Sequence, residues 1–120
     1  MTIIETGKDT NWVRAVNGNE SIRFLVVDAG KDYQNDRYTI ILDAPEIKTG
    51  SRTHIYPYIA MNSLGMYYHG EVDAAYVEAL IREDIEGEMI ISWEDLNTDC
   101  RLTARAQLRA YLEPPISMAS

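Results

Sequence analysis

Residues 12–29 read WVRAVNGNESIRFLVVDA, and this stretch decides the fold that the sequence predicts. Two runs rich in apolar residues flank the dipeptide Asn17-Gly18, which is the strongest short signal for a β-hairpin because both residues tolerate positive φ. The second run is apolar on both faces, with Ile22, Phe24 and Val26 on one face and Leu25 and Val27 on the other. A strand that is apolar on both faces is predicted to be central and covered on both sides.

Further alternating or apolar runs extend the predicted sheet on both sides of this hairpin. They cover Thr2–Glu5, Tyr38–Asp43 and His54–Met61. Pro57 cannot donate a hydrogen bond to a strand ladder, so the last run is predicted to be an edge strand or an extended loop. The N-terminal half, residues 2–61, is therefore expected to form an antiparallel sheet of about four strands.

The C-terminal half is predicted to supply two main helices. Asp73 is a suitable N-cap for a helix that ends near Glu83. A second helix is expected over Cys100–Leu112, with Thr98 or Asp99 as its cap. Sheet followed by helices is the α+β pattern, so we expect one α+β domain over residues 1–120, with residues 116–120 as a flexible tail.

The formal net charge of −8 arises in one segment, Glu71–Asp95, which we call the acidic segment. It holds nine of the nineteen acidic residues and, in Arg82, one of the eleven basic residues, whereas the rest of the chain carries ten of each. Such a density of carboxylates is typical of a solvated helix face or of a docking surface for a basic partner, and both interpretations stay open. A docking surface would use Glu83, Asp84, Glu86, Glu88, Glu94 and Asp95.

Five of the eight tyrosines fall between Tyr56 and Tyr76. Packing in the core or on the sheet is the simplest explanation for them. Tyrosine also joins an apolar ring to a polar tip and is therefore enriched at interfaces and in small-ligand pockets. We predict Tyr67 and Tyr68 as anchors for a protein partner. In the alternative, Tyr56 and Tyr58 belong to a pocket that stacks a base or a sugar.

The last predicted helix carries Arg101, Arg105 and Arg109 at intervals of four residues, and we call these the arginine stripe. One interpretation is that the stripe pairs with Glu83, Asp84, Glu86, Glu88 or Asp95 when the two helices pack together. The other is an anion site for a phosphate-bearing ligand, which the planar guanidinium suits. Direct binding of nucleic acid is not expected, because the acidic segment repels phosphate groups.

Composition and motifs argue against several classes of protein. No apolar run approaches the roughly 18 residues of a membrane-spanning helix, and the N-terminus lacks the pattern of a signal peptide, so we expect a cytoplasmic protein. Cys100 alone cannot form an internal disulfide. No metal-ligand, cofactor or nucleophile motif occurs, so neither metal nor cofactor is expected. A binding protein is favoured over an enzyme, although carboxylate pairs for acid–base chemistry can be assembled by the fold alone.

The leading hypothesis is a small non-enzymatic intracellular protein that binds and inhibits a partner with a basic surface, such as a nucleic-acid-binding protein. Its size and charge resemble those of small acidic inhibitors among immunity proteins and viral antagonists of host defence, an analogy that no motif supports. The alternative is an oligomeric protein that binds a small ligand or a nucleotide through the tyrosines and the arginine stripe. A homo-oligomer is compatible with both hypotheses.

Overall fold

A computed structural model of the protein describes residues 1–5, 11–32, 35–47, 50 and 53–113. The tail predicted at residues 116–120 lies outside these ranges. The described elements, in chain order, are β1 (Thr2–Glu5), β2 (Val13–Asn17), β3 (Glu20–Asp28), β4 (Tyr38–Leu42), β5 (Glu46–Ile47), β6 (His54–Met61), β7 (Tyr67–Asp73), α1 (Ala74–Ile81), β8 (Met89–Ile90), a 3-10 turn (Trp93–Asp95) and α2 (Thr98–Leu112).

All eight described strands belong to one antiparallel sheet. Six of them lie side by side in the order β1-β2-β3-β4-β6-β7. The short β5 pairs with the first residues of β6, and the short β8 pairs with the last residues of β3. The described sheet is therefore a meander with β1 at one edge and β7 at the other.

The prediction of about four strands is therefore wrong, whereas the α+β class fits broadly. Strands β5 and β8 have two residues each, which is too short to show any alternation. Strand β7 reads YYHGEVD, and five of its seven side chains are exposed. An edge strand without an apolar face does not produce the period-2 pattern by which strands are found in a sequence.

The hairpin predicted within residues 12–29 is confirmed. Strands β2 and β3 pair antiparallel around the two-residue loop Gly18-Asn19, so Asn17, the first residue of the predicted turn dipeptide, is the last residue of β2 and has no positive φ. Gly18 has a φ of +63°, which glycine adopts without steric cost. Strand β3 is central, as predicted, and residues 24–27 are buried on both faces, with Phe24 and Val26 on one face and Leu25 on the other.

The two helices lie on opposite faces of the sheet. Helix α2 buries Leu108 on the face that carries Phe24, and we call this the α2 face. Helix α1 buries Leu80 on the face that carries Leu25, which we call the α1 face. Successive side chains of a strand point to opposite faces, so a doubly apolar strand such as β3 can support a helix on each side. The interpretation that the arginine stripe meets the acidic segment because the two helices pack together is therefore wrong.

Strand β6 is an interior strand, so the prediction that Pro57 places it at an edge is wrong. The backbone N–H of Asn62 donates to the carbonyl of Met66, so the even-numbered residues of β6 and β7 hydrogen-bond to each other. The nitrogen of Pro57 therefore points away from β7, toward the side of β6 that pairs with β4 and β5. On that side β4 pairs with β6 only as far as Tyr58, and β5 pairs with it only from Ile55, so neither strand pairs with Pro57. The missing N–H falls in this gap, and no ladder hydrogen bond is lost.

Side-chain caps begin both helices. Asp73 accepts a hydrogen bond of 3.0 Å from the N–H of Tyr76, so it caps α1 as predicted. Asn97 caps α2 by accepting from the N–H of Cys100 at 2.8 Å. The cap expected at residue 98 or 99 is therefore wrong by one or two positions. Neither described helix is long and apolar enough to cross a membrane.

Candidate functional site

A hollow lies on the α1 face, beside the part of the sheet that α1 covers. Its floor is one row of cross-strand neighbours from β3, β4, β6 and β7, namely Val27, Thr39, Ala60 and Tyr68. The side chains of Thr39 and Ala60 are small, so the surface of the sheet is recessed in the middle of this row. Helix α1 has only eight residues and packs over the adjoining row of the sheet. The uncovered space has a volume of about 170 Å³.

Three tyrosines and two carboxylates line this hollow. The hydroxyl of Tyr68 donates a hydrogen bond of 2.8 Å to Asp36 Oδ2. The hydroxyl of Tyr76 donates to Glu88 Oε2. The third ring, Tyr58, packs edge-to-face on Tyr68, with 6.3 Å between the ring centroids. We call these five side chains the tyrosine–carboxylate pocket.

Gly70 gives Tyr58 the space that its ring occupies. The two residues lie opposite each other in the β6–β7 ladder. A Cβ atom on Gly70 would lie 2.3 Å from the ring of Tyr58, so any other residue at this position would displace that ring. The wall of the pocket therefore depends on a glycine in the middle of a strand, where glycine otherwise weakens the strand.

The contacts in the pocket hold two of its phenols in the protonated form. The hydrogen bond to Asp36, followed by burial and by the charge of the same carboxylate, raises the pKa of Tyr68 to about 12. Burial, followed by the hydrogen bond to Glu88, raises the pKa of Tyr76 above its usual value. Both hydroxyl groups are therefore neutral donors near pH 7, and the two carboxylates are the formally charged groups of the pocket.

We expect Asp36→Asn to lower the pKa of Tyr68 toward the ordinary tyrosine value of about 10. The folded state holds the phenol proton more tightly than the unfolded chain does. This contact therefore stabilises the fold fully below about pH 10, and the stabilisation is lost as the pH rises to about 12. A titration of the tyrosine ring carbons by NMR measures the change, and the Tyr68→Phe variant assigns the signal. An unchanged Tyr68 titration in Asp36→Asn would show that the carboxylate is not the cause.

Four of the predicted docking residues lie on the α1 side of the sheet. Glu83, Asp84 and Glu86 are exposed in the turn that follows α1. Ile85, within the same turn, packs against the core of the α1 face. Glu88 ends the turn and lines the tyrosine–carboxylate pocket. We call these four carboxylates the acidic turn, and they adjoin the pocket through Glu88.

The other predicted docking residues lie elsewhere. Glu94 and Asp95 are exposed on the 3-10 turn, whose Trp93 packs into the core of the α2 face. The anchor Tyr67 points to the α2 face, where its ring lies 5.7 Å from that of His69, whereas Tyr68 lines the pocket on the α1 face. The fold therefore divides the acidic segment between two surfaces and separates the two predicted anchors.

Glu83 has an unusual backbone conformation in the acidic turn. Its φ is +60°, the left-handed region that glycine normally occupies. The N–H of Glu83 donates to the carbonyl of Leu80, and the N–H of Asp84 donates to that of Ala79. These two bonds form a Schellman motif, in which glycine is the usual residue at the position of Glu83. The chain therefore keeps a carboxylate at a position where glycine has lower strain.

We expect Glu83→Gly to raise the free energy of unfolding by roughly 0.5–1 kcal/mol. The left-handed conformation costs an L-residue about 1–2 kcal/mol, and the added freedom of glycine in the unfolded chain offsets part of this. Urea denaturation measures the change. Glu86→Gly is the matched control, because it removes the same charge from a residue without positive φ and should give no stabilisation. A Glu83→Gly variant less stable than the parent would contradict the argument.

Two members of the arginine stripe contact the body of the protein. Arg101 pairs with the exposed Glu94 at 3.3 Å. Arg105 donates a hydrogen bond of 2.9 Å to the carbonyl of Met1 and so ties the N-terminal strand to α2. Arg109 makes no ion pair or side-chain hydrogen bond within the described ranges. None of the predicted partners, Glu83, Asp84, Glu86, Glu88 and Asp95, pairs with the stripe within the described ranges, and the one ion pair of the stripe there is with Glu94.

The residues of the alternative ligand site are not brought together. The arginine stripe belongs to α2, whereas Tyr56 and Tyr58 pack on the α1 face. A single small ligand cannot contact side chains on both sides of a β-sheet. The geometry therefore gives no support to a nucleotide pocket built from these five residues.

A larger hollow of about 290 Å³ lies on the α2 face beside β7. Its walls are mainly apolar and include Ile59, Tyr111 and Pro57. His69 lies 3.0 Å from Gln107, from Nε2 to Oε1, at its rim. No acidic side chain lines this hollow among the described residues, so it offers less to a basic partner. No group of three or more histidine, cysteine or acidic side chains that could hold a metal ion occurs in the described ranges.

Sequence reasoning missed three residues that shape the pocket. Asp36 lies in a polar connector with several other acidic and polar residues, so nothing in the sequence distinguishes it. Thr39 and Ala60 are small residues inside otherwise apolar strands, which is a weak signal. Only the strand register, which places Thr39 opposite Ala60 and Ala60 opposite Tyr68, shows that they adjoin.

Comparison of the chain with protein-family models, with curated proteins and with solved structures finds no match.

Proposed function

We propose that the protein binds a partner with a basic surface, and that a lysine or arginine of this partner enters the tyrosine–carboxylate pocket. The observation that carries the proposal is the meeting of Tyr58, Tyr68, Tyr76, Asp36 and Glu88 in one hollow on the α1 face. A cation is attracted by the face of an aromatic ring and forms charge-assisted hydrogen bonds with carboxylates. This combination of groups recognises ammonium or guanidinium and repels phosphate.

The surroundings of the pocket support the same class of partner. Glu83, Asp84 and Glu86 are exposed beside it and carry three further formal negative charges. Arg82, the one basic residue of the acidic segment, is already paired with Asp84 at 2.9 Å on the surface. A field of one sign around an aromatic hollow steers a basic partner and orients it. Binding would cover the basic surface of the partner, so the protein would inhibit any activity that uses that surface.

The test compares two pairs of charge reversals that alter the net charge equally. Glu83→Lys/Glu86→Lys changes the acidic turn, and Glu94→Lys/Asp95→Lys changes the 3-10 turn on the other side of the sheet. Calorimetric titration with an oligo-arginine peptide should show an affinity at least about tenfold lower for the first variant and nearly unchanged for the second. At physiological salt, dissolved ions screen the interaction between exposed charges that are more than about 8 Å apart. An oligo-citrulline peptide of equal length serves as the neutral ligand.

Two outcomes would contradict the proposal. One is equal loss of affinity in both variants, which would indicate a response to net charge without a defined surface. The other is binding that does not weaken with added salt. The natural partner is then sought by affinity purification from the native host with mass spectrometry, using Glu83→Lys/Glu86→Lys as the negative bait.

A further inference from the structure

Strand β7 presents an unpaired edge in the described part of the structure. Its inner edge pairs with β6 over seven consecutive residues, and no described strand pairs with its outer edge. The even-numbered residues of β7 hydrogen-bond to β6, so the odd-numbered residues direct their N–H and C=O groups outward. Asp73 is the N-cap of α1, and its carbonyl accepts the first hydrogen bond of that helix. Tyr67, His69 and Glu71 therefore form the ready template for another strand.

The usual features that protect an edge strand are weak in β7. The strand is seven residues long and contains neither proline nor lysine. Its charged residues Glu71 and Asp73 would repel an acidic strand, unless the incoming strand places a complementary group opposite each of them. The sequence of β7 itself meets this condition when it runs antiparallel to a second copy.

We propose that the protein forms a symmetric dimer in which β7 pairs antiparallel with β7 of a second copy, centred on Gly70. In this register His69 lies opposite Glu71 of the other copy, and the same pair occurs twice because of the two-fold symmetry. Tyr68 lies opposite Val72, an aromatic pair with a β-branched residue of the kind that stabilises sheets. No two carboxylates lie directly opposite each other.

The alternation of inward- and outward-facing backbone groups along the free edge of β7 agrees with this register. His69 and Glu71 are both outward-facing, so they can exchange two backbone hydrogen bonds as an antiparallel pair requires. Gly70 then lies opposite Gly70 of the second copy, as a closely spaced pair that is not hydrogen-bonded. Shifting the centre to Glu71 would place two glutamates opposite each other, and shifting it to His69 would place two histidines opposite each other. Like charges opposite one another destabilise a sheet, which disfavours the centre at Glu71. The centre at His69 loses the His69–Glu71 and Tyr68–Val72 pairs, so the register centred on Gly70 is favoured.

The dimer would also place the two tyrosine–carboxylate pockets on the same side of the sheet. A two-fold axis perpendicular to the sheet keeps both α1 faces on the same side of one continuous sheet. The two pockets, each containing Tyr68 of its own β7, would then lie near the axis and open to the same side. This geometry suits a basic partner with two cationic anchors. The dimer itself rests only on the β7 edge, so it can hold whether or not the pocket binds cations.

Sedimentation equilibrium of the complete chain tests the dimer. The wild-type protein should sediment at twice the chain mass of 13.7 kDa. His69→Glu places carboxylates opposite Glu71 in both pairs and should weaken dimerisation by about tenfold or more. The double variant His69→Glu/Glu71→Lys places a glutamate opposite a lysine in both pairs and should restore the dimer. Ile4→Glu, which changes the exposed residue Ile4 on the opposite edge strand β1, should leave the dimer unchanged.

Circular dichroism and thermal melting confirm that each variant is folded. A wild-type chain that stays monomeric at the highest soluble concentration overturns the proposal, as does a dimer that survives His69→Glu or dissociates in Ile4→Glu. A folded double variant that remains monomeric overturns the register. Tyr68 belongs to both the pocket and the dimer seam, but the peptide titrations change Glu83 and Glu86, which lie outside β7. Failure of either proposal therefore leaves the other open to its own test.

Discussion

Replacing Leu108 with alanine should lower the free energy of unfolding by about 3 kcal/mol. Leu108 lies in the C-terminal half of α2 and is fully buried against the sheet, together with Phe24 and Ile40. Truncating a buried leucine removes its transfer free energy and leaves a cavity that the surrounding residues fill only in part, at a cost of about 2–5 kcal/mol. A loss of this size is a large fraction of the stability of a typical domain.

Urea denaturation of Leu108→Ala and Leu102→Ala tests the prediction with a matched control. Leu102 is the same residue type in the same helix, but it is 62% exposed. Its truncation should change the free energy of unfolding by no more than about 0.5 kcal/mol. Equal losses in the two variants would contradict the packing of α2 on the sheet. A changed m-value in either variant would instead indicate a different denatured or native state.

Neutralising the pocket with Asp36→Asn and Glu88→Gln should lower the affinity for an oligo-arginine peptide by about 100-fold. Loss of a charged partner from a desolvated, hydrogen-bonded pair costs roughly 2–5 kcal/mol, and each tenfold loss of affinity corresponds to 1.4 kcal/mol. Asparagine and glutamine still accept hydrogen bonds from Tyr68 and Tyr76, so the shape of the pocket should be retained. The affinity should therefore fall because charge is lost and not because the wall collapses.

The matched control is Glu94→Gln/Asp95→Asn, which removes the same two charges with the same chemistry from the 3-10 turn. It should leave peptide affinity within about twofold, because these side chains lie away from the pocket. Calorimetric titration measures both variants, and thermal melting checks their folding. If both lose affinity equally, net charge and not the pocket carries the binding.

The largest error of the sequence analysis concerns the edge of the sheet. Pro57 suggests an edge because proline lacks the N–H of a ladder. In the fold that nitrogen faces the gap between β4 and β5, and β7 covers the other side. The edge on this side of the sheet in the described ranges is β7, which exposes Tyr67, His69 and Glu71 and shows no apolar alternation. Whether a strand lies at the edge or in the interior of a sheet depends on which segments pair with it, and this pairing is not a local property of the sequence.

The candidate site is predictable only in part, for a related reason. The sequence locates Glu88 in a dense acidic segment and Tyr68 in a cluster of tyrosines, because residues of one type that lie close together along the chain can be seen in the sequence. It does not indicate that Asp36 is the hydrogen-bond partner of Tyr68, 32 positions away, or that Glu88 is the partner of Tyr76. It also does not indicate that Glu94 and Asp95 belong to the opposite side of the sheet.

What the sequence determines by itself is local. The hairpin around Gly18, the two apolar faces of β3 and the cap at Asp73 follow from periodicity and from the conformational preferences of single residues, which act over a few positions. The tertiary structure alone decides which face of the sheet each helix covers and which side chains share the pocket. Those relations arise from strand register and from the route of the chain across the sheet, which are set by contacts between residues far apart in sequence.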